Sequence, residues 1–322
     1  MEMKFRAVPK EVYDIMGLDE SFNYLWNPDP VSSLIGLGSS FVLEFFEFYG
    51  EKIGDYYDDY IKDPKLKDER FAVFVGQERR HAAAHRKLNN FITKTLQPPV
   101  REKFHPRVYA FMDEAYRSFA EPIIAGIERD KASGKTQESL YFKEAVQSIA
   151  IFESEVCMTG FAFFENLFDN GRFDFVSNMS GNLGVVYLLA YHYAEEMEHC
   201  CVSIEAFETV YNEKLWTQER VERHINQMDF LANQVVKTTQ KIAVMLNQTV
   251  TPEQIINSIA FQARIKAAKK YITEGFTARE PEVLQKREYF ISRWDNEWEP
   301  RLLEKINKKI HENDLASTIR MV

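Results

Sequence analysis

Apolar residues recur at intervals of three and four along most of the chain, which is the period of an amphipathic α-helix. Breaks in this pattern coincide with proline, glycine and Asp-Asn clusters, which are common helix ends. The pattern predicts helices at about residues 39–61, 64–96, 136–168, 183–211, 216–247, 252–274 and 280–312, the last range as one or two helices. The sequence therefore predicts an all-α protein.

The first four long helices form two successive hairpins, separated by a crossover of about 40 residues at 100–135 that contains further helix between Pro106 and Arg129. This connectivity is typical of ferritin-like four-helix bundles. We expect the bundle to occupy 39–211, after an N-terminal segment at 1–38 that Asn27-Pro28-Asp29-Pro30 and a Gly-Leu-Gly interrupt. Additional C-terminal helices at 212–322 should cover the bundle and close a substrate pocket. No change in composition marks a boundary, so a single domain at 1–322 is predicted.

Composition limits the function classes. The chain has 322 residues and a formal net charge of −9, so a basic surface for nucleic acid is not expected. Three cysteines are too few for a disulfide framework, which fits a reducing compartment. No signal-like apolar segment and no run of 18 apolar residues is present. We expect a cytoplasmic protein with no membrane span and no nucleic-acid partner.

Two Glu-x-x-His motifs are the first candidate chemistry, Glu78 to His81 on the second helix and Glu196 to His199 on the fourth. Residues at i and i+3 share a helix face, so each pair can bind one ion. Both motifs lie in otherwise apolar rows, and this predicts that they point into the core rather than into solvent.

The other two helices carry glutamates at matching depth. Counting outward from the turn at 169–182 places Glu153 opposite the second motif, and counting from 62–64 places Glu44 and Glu47 opposite the first. We prefer Glu44, because it shares a face with apolar and aromatic residues, whereas Glu47 aligns with two glycines and Glu51. The choice between Glu44 and Glu47 stays open.

Four buried carboxylates would repel one another strongly without cations between them. Four carboxylates and two imidazoles suit two divalent metal ions, iron or manganese before zinc. The alternative is a helical bundle whose glutamates are ordinary surface residues.

The stretch Ile61–Asn89 carries a Phe-x-x-Gln-Glu-x-x-His-x-x-x-His-x-x-x-Asn run, and the fourth helix reads His-x-x-Glu-Glu-x-Glu-His from His192. The E…ExxH…E…ExxH order resembles the ferritin-like di-iron carboxylate superfamily. Within it, both runs are similar to a bacterial family described as predicted metal-dependent hydrolases. The spacing of His192, Glu196 and His199 also resembles the aminobenzoate N-oxygenase type of di-iron enzyme.

The resemblance implies a di-metal site with catalytic and metal-binding roles for the six residues above. It adds His192 as a seventh metal ligand, and His85 either as a further ligand or as a hydrogen-bond partner of one. Glu155 and Glu195 are interpreted as neighbours that form salt bridges or support the ligands. The set implied is Glu44, Glu78, His81, Glu153, His192, Glu196 and His199.

Three functions remain in competition. The first is an O2-activating di-iron oxidase or oxygenase that acts on a small organic substrate, with an electron donor as a further partner. The second is a metal-dependent hydrolase, with zinc a candidate metal and Glu195 as a proton shuttle. The third is a metal-binding helical protein without catalysis. A homodimer is expected from general frequencies alone.

Overall fold

The computed structural model describes residues 3–18, 23–57, 60–94, 113–114, 116–135, 138–226, 229–274, 276 and 280–320. Within these ranges every regular element is helical, so the predicted all-α class is confirmed. The α-helices are α1 Lys10–Met16, α2 Pro30–Tyr57, α3 Ala72–Lys94, α4 Glu121–Ala132, α5 Leu140–Leu167, α6 Arg172–Met179, α7 Leu183–Tyr211, α8 Gln218–Asn226, α9 Asp229–Met245, α10 Pro252–Ile256, α11 Ile259–Tyr271, α12 Pro281–Arg293 and α13 Glu299–Arg320.

Two long helix pairs form the centre of the structure. Helix α2 packs along α3, and α5 packs along α7; α3 also contacts α7, and α2 contacts α5. Apolar side chains from all four helices belong to one continuous buried core. The classification of this arrangement as ferritin-like, and the single-domain organisation, stay predictions.

Helix α2 begins nine residues earlier than the sequence pattern suggested. The carboxylate of Asp29 accepts hydrogen bonds from the backbone N–H groups of Val31 and Ser32, and Pro30 occupies the first turn, a combination that starts helices well. The Gly36-Leu37-Gly38 sequence does not break the helix, because both glycines allow close packing. A Cβ on Gly36 would lie 2.4 Å from the Trp26 ring, and one on Gly38 would lie 2.9 Å from the backbone of Thr239.

The second hairpin matches its predicted limits closely. Ser139 caps α5 by accepting from the N–H of Phe142, and Asn182 caps α7 by accepting from the N–H of Val185. Asn212 ends α7 in the left-handed conformation with φ of 50°, which asparagine tolerates. The long crossover is described only in part. Its predicted helix between Pro106 and Arg129 falls on α4, while 95–112 lie outside the described residues.

Later helices lie against the outside of the central pairs. Helix α9 packs on α2, α11 packs on α5 and touches α2, and α12 and α13 contact α7. The pattern at 252–274 predicted one helix, but the structure has two. Ser258 accepts from the N–H of Phe261 and so starts α11 directly after α10, which ends at Ile256 and is capped by Asn257.

Among the described residues, one helix could span a membrane by length and composition alone. It is Pro30–Tyr56, within α2, and 67% of its most apolar window is buried inside the protein. Burial of this kind is what a core helix of the bundle requires, so the segment gives only weak support for a membrane span.

Candidate metal centre

Seven acidic and histidine side chains from the four central helices converge in the core. None of them is more than 1% exposed. Helix α2 contributes one residue, α3 two, α5 one and α7 three; the residues are Glu47, Glu78, His81, Glu153, His192, Glu196 and His199. We call this set the Glu/His cluster.

The carboxylate of Glu196 lies between two groups of donors. Its Oε1 atom is 3.2 Å from Nδ1 of His81 and 3.5 Å from Nε2 of His192, while its Oε2 atom is 3.3 Å from Nε2 of His199. Each oxygen therefore faces a different part of the cluster.

Two overlapping sets of donor atoms lie close enough to hold an ion each. In both sets the ligand atoms are within 4.8 Å of one another, and both include His81 and Glu196. The first set adds Glu47 and His192, and the second adds Glu78 and His199. Glu153 joins the second group, because its Oε2 lies 3.2 Å from Nε2 of His199.

Atoms that point into the cluster have no hydrogen-bond partner among the described residues. There are nine such atoms, and every one of the seven side chains contributes at least one: Glu47 Oε1 and Oε2, Glu78 Oε1, His81 Nδ1, Glu153 Oε2, His192 Nε2, Glu196 Oε1 and Oε2, and His199 Nε2. Buried polar atoms normally find partners, so a convergent group of orphaned atoms fits a cation site.

The electrostatics of the cluster lead to the same conclusion. Burial, together with the neighbouring charges of Glu78, Glu196 and Glu153, raises the pKa of Glu47 well above its usual range. Burial and the charges of Glu196 and Glu78 likewise raise the pKa of Glu153. Burial alone would raise the pKa of Glu196 too, but His199 and His192 hold it well below its usual range. The cluster thus has too few cations of its own for its carboxylates.

Each cluster histidine is held from behind through its second ring nitrogen. Nε2 of His81 is 3.0 Å from Oε2 of Glu195, and Nδ1 of His199 is 3.0 Å from Oε1 of Gln77. Metal-binding histidines usually have such a partner, which fixes the ring orientation and leaves the other nitrogen free for the ion.

His192 is held by a longer series of hydrogen bonds that ends at Glu44. Nδ1 of His192 is 3.2 Å from Nε2 of His85, whose Nδ1 is 2.9 Å from Oγ of Ser40. The Ser40 hydroxyl donates to Oδ1 of Asn89 at 2.8 Å, and Nδ2 of Asn89 donates to Glu44 at 2.7 Å. His85 therefore supports a cluster residue and has neither ring nitrogen directed into the cluster.

The preference for Glu44 needs correction. The structure places Glu47 in the cluster, whereas the Glu44 carboxylate binds Nε of Arg86 at 2.9 Å and the amide of Asn89. The two glycines that argued against Glu47 mark the face where α2 approaches α3. A Cβ on Gly54 would lie 2.8 Å from Val75, and one on Gly50 would lie 4.0 Å from Glu78. Small residues at the contact let the helices come close, so this face points inward.

Glu195 has the supporting contacts expected of a neighbour of the ligands, while its role as a proton shuttle stays a prediction. It lies behind His81, away from the cluster, and its Oε1 accepts from the backbone N–H of Arg6 at 3.3 Å. Burial would raise the pKa of Glu195, but hydrogen bonds with His81 and Tyr191 and the nearby Arg6 lower it. Glu195 therefore orients and polarises His81. Glu155 forms salt bridges, as expected, with Arg264 at 2.7 Å and His224 at 3.1 Å.

Sequence reasoning missed the support supplied by distant segments. Arg6, in the N-terminal segment, pairs with Glu198 and with Asp295. Arg287 of α12 is buried and donates to the backbone carbonyls of Met197 and Glu198 beside the second motif. Gln77 is part of the Gln-Glu pair in the first run, but the helical pattern does not predict its contact with His199.

Comparison with known families supplies a classification. The family whose model matches residues 16–290 is described as "predicted metal-dependent hydrolase". The chain belongs to this family. All seven residues of the Glu/His cluster lie inside the matched region. No curated protein and no solved structure gives a significant match to the chain.

The family description implies a metal, and the Glu/His cluster contains the residues that could hold one. Within the described residues the two groups that could hold an ion are both in it. The three cysteines are free and buried, and Cys201 accepts from Arg287 at 3.1 Å, so they belong to the packing around α7.

Proposed function

We propose that the protein is a metal-dependent hydrolase of small organic molecules whose active centre is a two-metal site at the Glu/His cluster. The observation that carries the proposal is the set of nine unpartnered donor atoms converging from four helices. A glutamate from each of two helices and a Glu-x-x-His pair from each of the other two is also the donor set of ferritin-like dimetal proteins. We therefore propose a ferritin-like bundle as well.

The proposed roles of the residues follow from their placement. Glu47 and His192 would hold one ion, and Glu78, Glu153 and His199 the other, with Glu196 between them and His81 within reach of both. Two bound divalent ions supply a polarised water of lowered pKa and a positive charge for the substrate oxygen.

The chain's own contribution is orientation and exclusion of water. Gln77, Glu195 and His85 each hold the outer ring nitrogen of one cluster histidine, so that the inner nitrogen faces the cluster. Apolar neighbours such as Phe74, whose ring packs edge-on against His199, keep bulk water away. Polar interactions inside such a site are stronger than they would be in water.

Oxidation of a small organic substrate by O2, through a di-iron centre, is the second candidate. The observation that favours it is His192, whose Nε2 atom is unpartnered and faces Glu47 and Glu196 at 3.7 and 3.5 Å. A third imidazole beside four carboxylates suits iron more than tetrahedral zinc. This reading requires an electron donor as a partner.

Metal content tests the site common to both readings. Elemental mass spectrometry of protein purified without added metal should give about two ions per chain. His199→Ala should lose metal, whereas His311→Ala, which alters an exposed histidine of α13, should not. Absence of bound metal after anaerobic reconstitution with Fe(II), Mn(II) and Zn(II) would disprove the metal centre.

Activity assays then separate the two chemistries. Release of nitrophenol from neutral nitrophenyl esters and from phosphoesters under strictly anaerobic conditions, with Mn or Zn bound, supports hydrolysis. Substrate-dependent consumption of O2 by the iron form, without anaerobic product release, supports the oxidase. Two ions per chain with neither activity on a broad substrate panel would favour a non-catalytic metal-binding protein.

A further inference from the structure

A cavity of about 520 Å³ lies between α2 and α5. Helix α9, through Val235, and helix α11 form its outer wall. This volume is in the range that protein pockets use for small organic ligands, roughly 300–1,000 Å³. Its wall is mainly apolar, with large side chains that include Trp26, Ile35, Leu43, Phe152, Val156 and Phe163.

The inner end of the cavity is formed by residues one helical turn from the cluster. Leu43 is four residues before Glu47, Val156 is three residues after Glu153, and Leu189 is three residues before His192. Residues at these spacings share a helix face, so on three helices the cavity lining comes within about one turn of a cluster residue.

The outer end of the cavity reaches the surface through apolar side chains. Phe175 and Ile259 both line it, and they are 58% and 75% exposed. Large apolar residues that are exposed together at the rim of a pocket are typical of a groove that binds an apolar ligand. The cavity is therefore apolar both at its rim and at the residues closest in sequence to the cluster.

Four charged residues line the cavity: Asp29 accepts hydrogen bonds at the start of α2, Arg172 is exposed, and Glu155 and Arg264 form an ion pair. Glu155 and Arg264 both line it and bind each other, with Nη2 of Arg264 at 2.7 Å from the carboxylate. Nε of Arg264 has no hydrogen-bond partner among the described residues. The buried part of the wall thus offers one unpartnered donor, Nε of Arg264, and no unpaired charge.

From this geometry we infer that the cavity binds the apolar, uncharged part of the substrate, such as the acyl or aryl group of a neutral ester or amide. This inference rests on the proposed function, because only that function makes the ligand of the cavity a substrate. The binding site itself depends only on the cavity. A charged group placed among the buried apolar side chains would lose its hydration and find only the already paired Glu155 and Arg264, so charged small metabolites are poor occupants of this part of the cavity.

The test uses prodan, a neutral aromatic ketone, as the probe and equilibrium dialysis of the full chain as the measurement. We expect saturable binding of one prodan per chain. Ala263→Trp places an indole in the cavity from α11 and should weaken binding by roughly tenfold or more. Lys266→Trp, at an exposed position of the same helix outside the cavity lining, should bind like wild type.

A second variant, which fills the cavity from another wall, keeps the test valid if the first variant misfolds. Thr159→Phe, on α5, should weaken prodan binding as well, provided that both variants keep the helical circular dichroism of wild type. Equal binding by wild type and both filled variants, or no saturable binding at all, would overturn the inference.

Metal removal separates this inference from the proposed function. Protein stripped with a chelator should still bind prodan, because no cluster residue lines the cavity. Loss of metal binding with retained prodan binding would therefore defeat only the proposed function. If a neutral ester is hydrolysed, prodan should inhibit it competitively; inhibition of any other type would defeat the assignment of the cavity to the substrate.

Discussion

His85 contacts His192 through ring nitrogens, with Nε2 of His85 3.2 Å from Nδ1 of His192. The donor and acceptor in this hydrogen bond follow from the other end of the series, at Glu44. Asn89 must turn its NH2 group toward the Glu44 carboxylate, so its oxygen accepts from Ser40. The Ser40 oxygen then accepts from Nδ1–H of His85, and Nε2 of His85 accepts from His192.

The consequence is a fixed tautomer of His192. Its Nδ1 carries the proton, so the Nε2 lone pair faces Glu47 and Glu196, as a metal ligand requires. The series works only if His85 is neutral. Burial, assisted by the charge of His81, lowers the pKa of His85 to about 3, which keeps it neutral across the physiological range.

We predict that His85→Phe weakens metal binding at the position that contains Glu47 and His192. Loss of a supporting partner behind a ligand usually costs about 10- to 100-fold in metal affinity. Chelator competition with Mn(II) or Zn(II) should show one weakened ion and one that is nearly unchanged. Ser40→Ala should give a smaller effect in the same direction.

His311→Phe is the matched control, because His311 is exposed on α13 and remote in sequence from these contacts. If both ions keep their wild-type affinities in His85→Phe and Ser40→Ala, the hydrogen-bond series has no role in the metal site.

Glu47→Gln and Glu44→Gln should have different effects although they lie three residues apart. Glu47→Gln removes a cluster carboxylate, so we expect about one ion per chain instead of two. Glu44→Gln keeps the cluster intact and should retain both ions, with a stability cost of about 1 kcal/mol from its weakened contacts with Arg86 and Asn89. Elemental analysis and urea unfolding measure both effects; the reverse pattern would reinstate Glu44 as the ligand.

The contrast between these two glutamates shows what the sequence could predict. On α3 and α7 the motif histidines lie in apolar rows, so the helical spacing of apolar residues predicts that they point into the core. On α2 the two candidates are only about 60° apart around the helix, because successive residues turn by about 100°. Aromatic residues cover both sides of α2, and the decisive feature was the close approach of α3 at Gly54.

Contacts between distant segments lay beyond any pattern. Arg6 is 192 residues from Glu198, its partner behind the second motif, and Arg287 is 90 residues from Met197. Helical periodicity reports which face of a helix is buried, but it does not report which remote segment covers that face. The donors of the cluster could therefore be predicted largely from sequence, whereas their supporting network could not.

Two glycines of α2 should respond to alanine in opposite directions. A Cβ at Gly38 would lie 2.9 Å from the backbone of Thr239, which cannot move away easily, so Gly38→Ala should cost about 1–3 kcal/mol. At Gly50 the nearest atom would be 4.0 Å away, so Gly50→Ala should gain about 0.5–1 kcal/mol from helix propensity. Urea unfolding of metal-free protein measures both. A stabilising Gly38→Ala would contradict the packing of α9 on α2.

Metal affinity should rise with pH up to about 9. Burial alone would lower the pKa of His81, but the neighbouring carboxylates of Glu195 and Glu196 raise it to about 9 in the metal-free protein. Its protonated form adds stability below the unfolded value of 6.5, and this stability is lost as the pH rises through about 9. Because a metal must displace that proton, binding becomes tighter over the same interval and releases protons. Calorimetry at pH 7 in buffers of different ionisation enthalpy should detect this release. A metal affinity that stays constant from pH 6 to pH 9 would show that His81 is not a ligand.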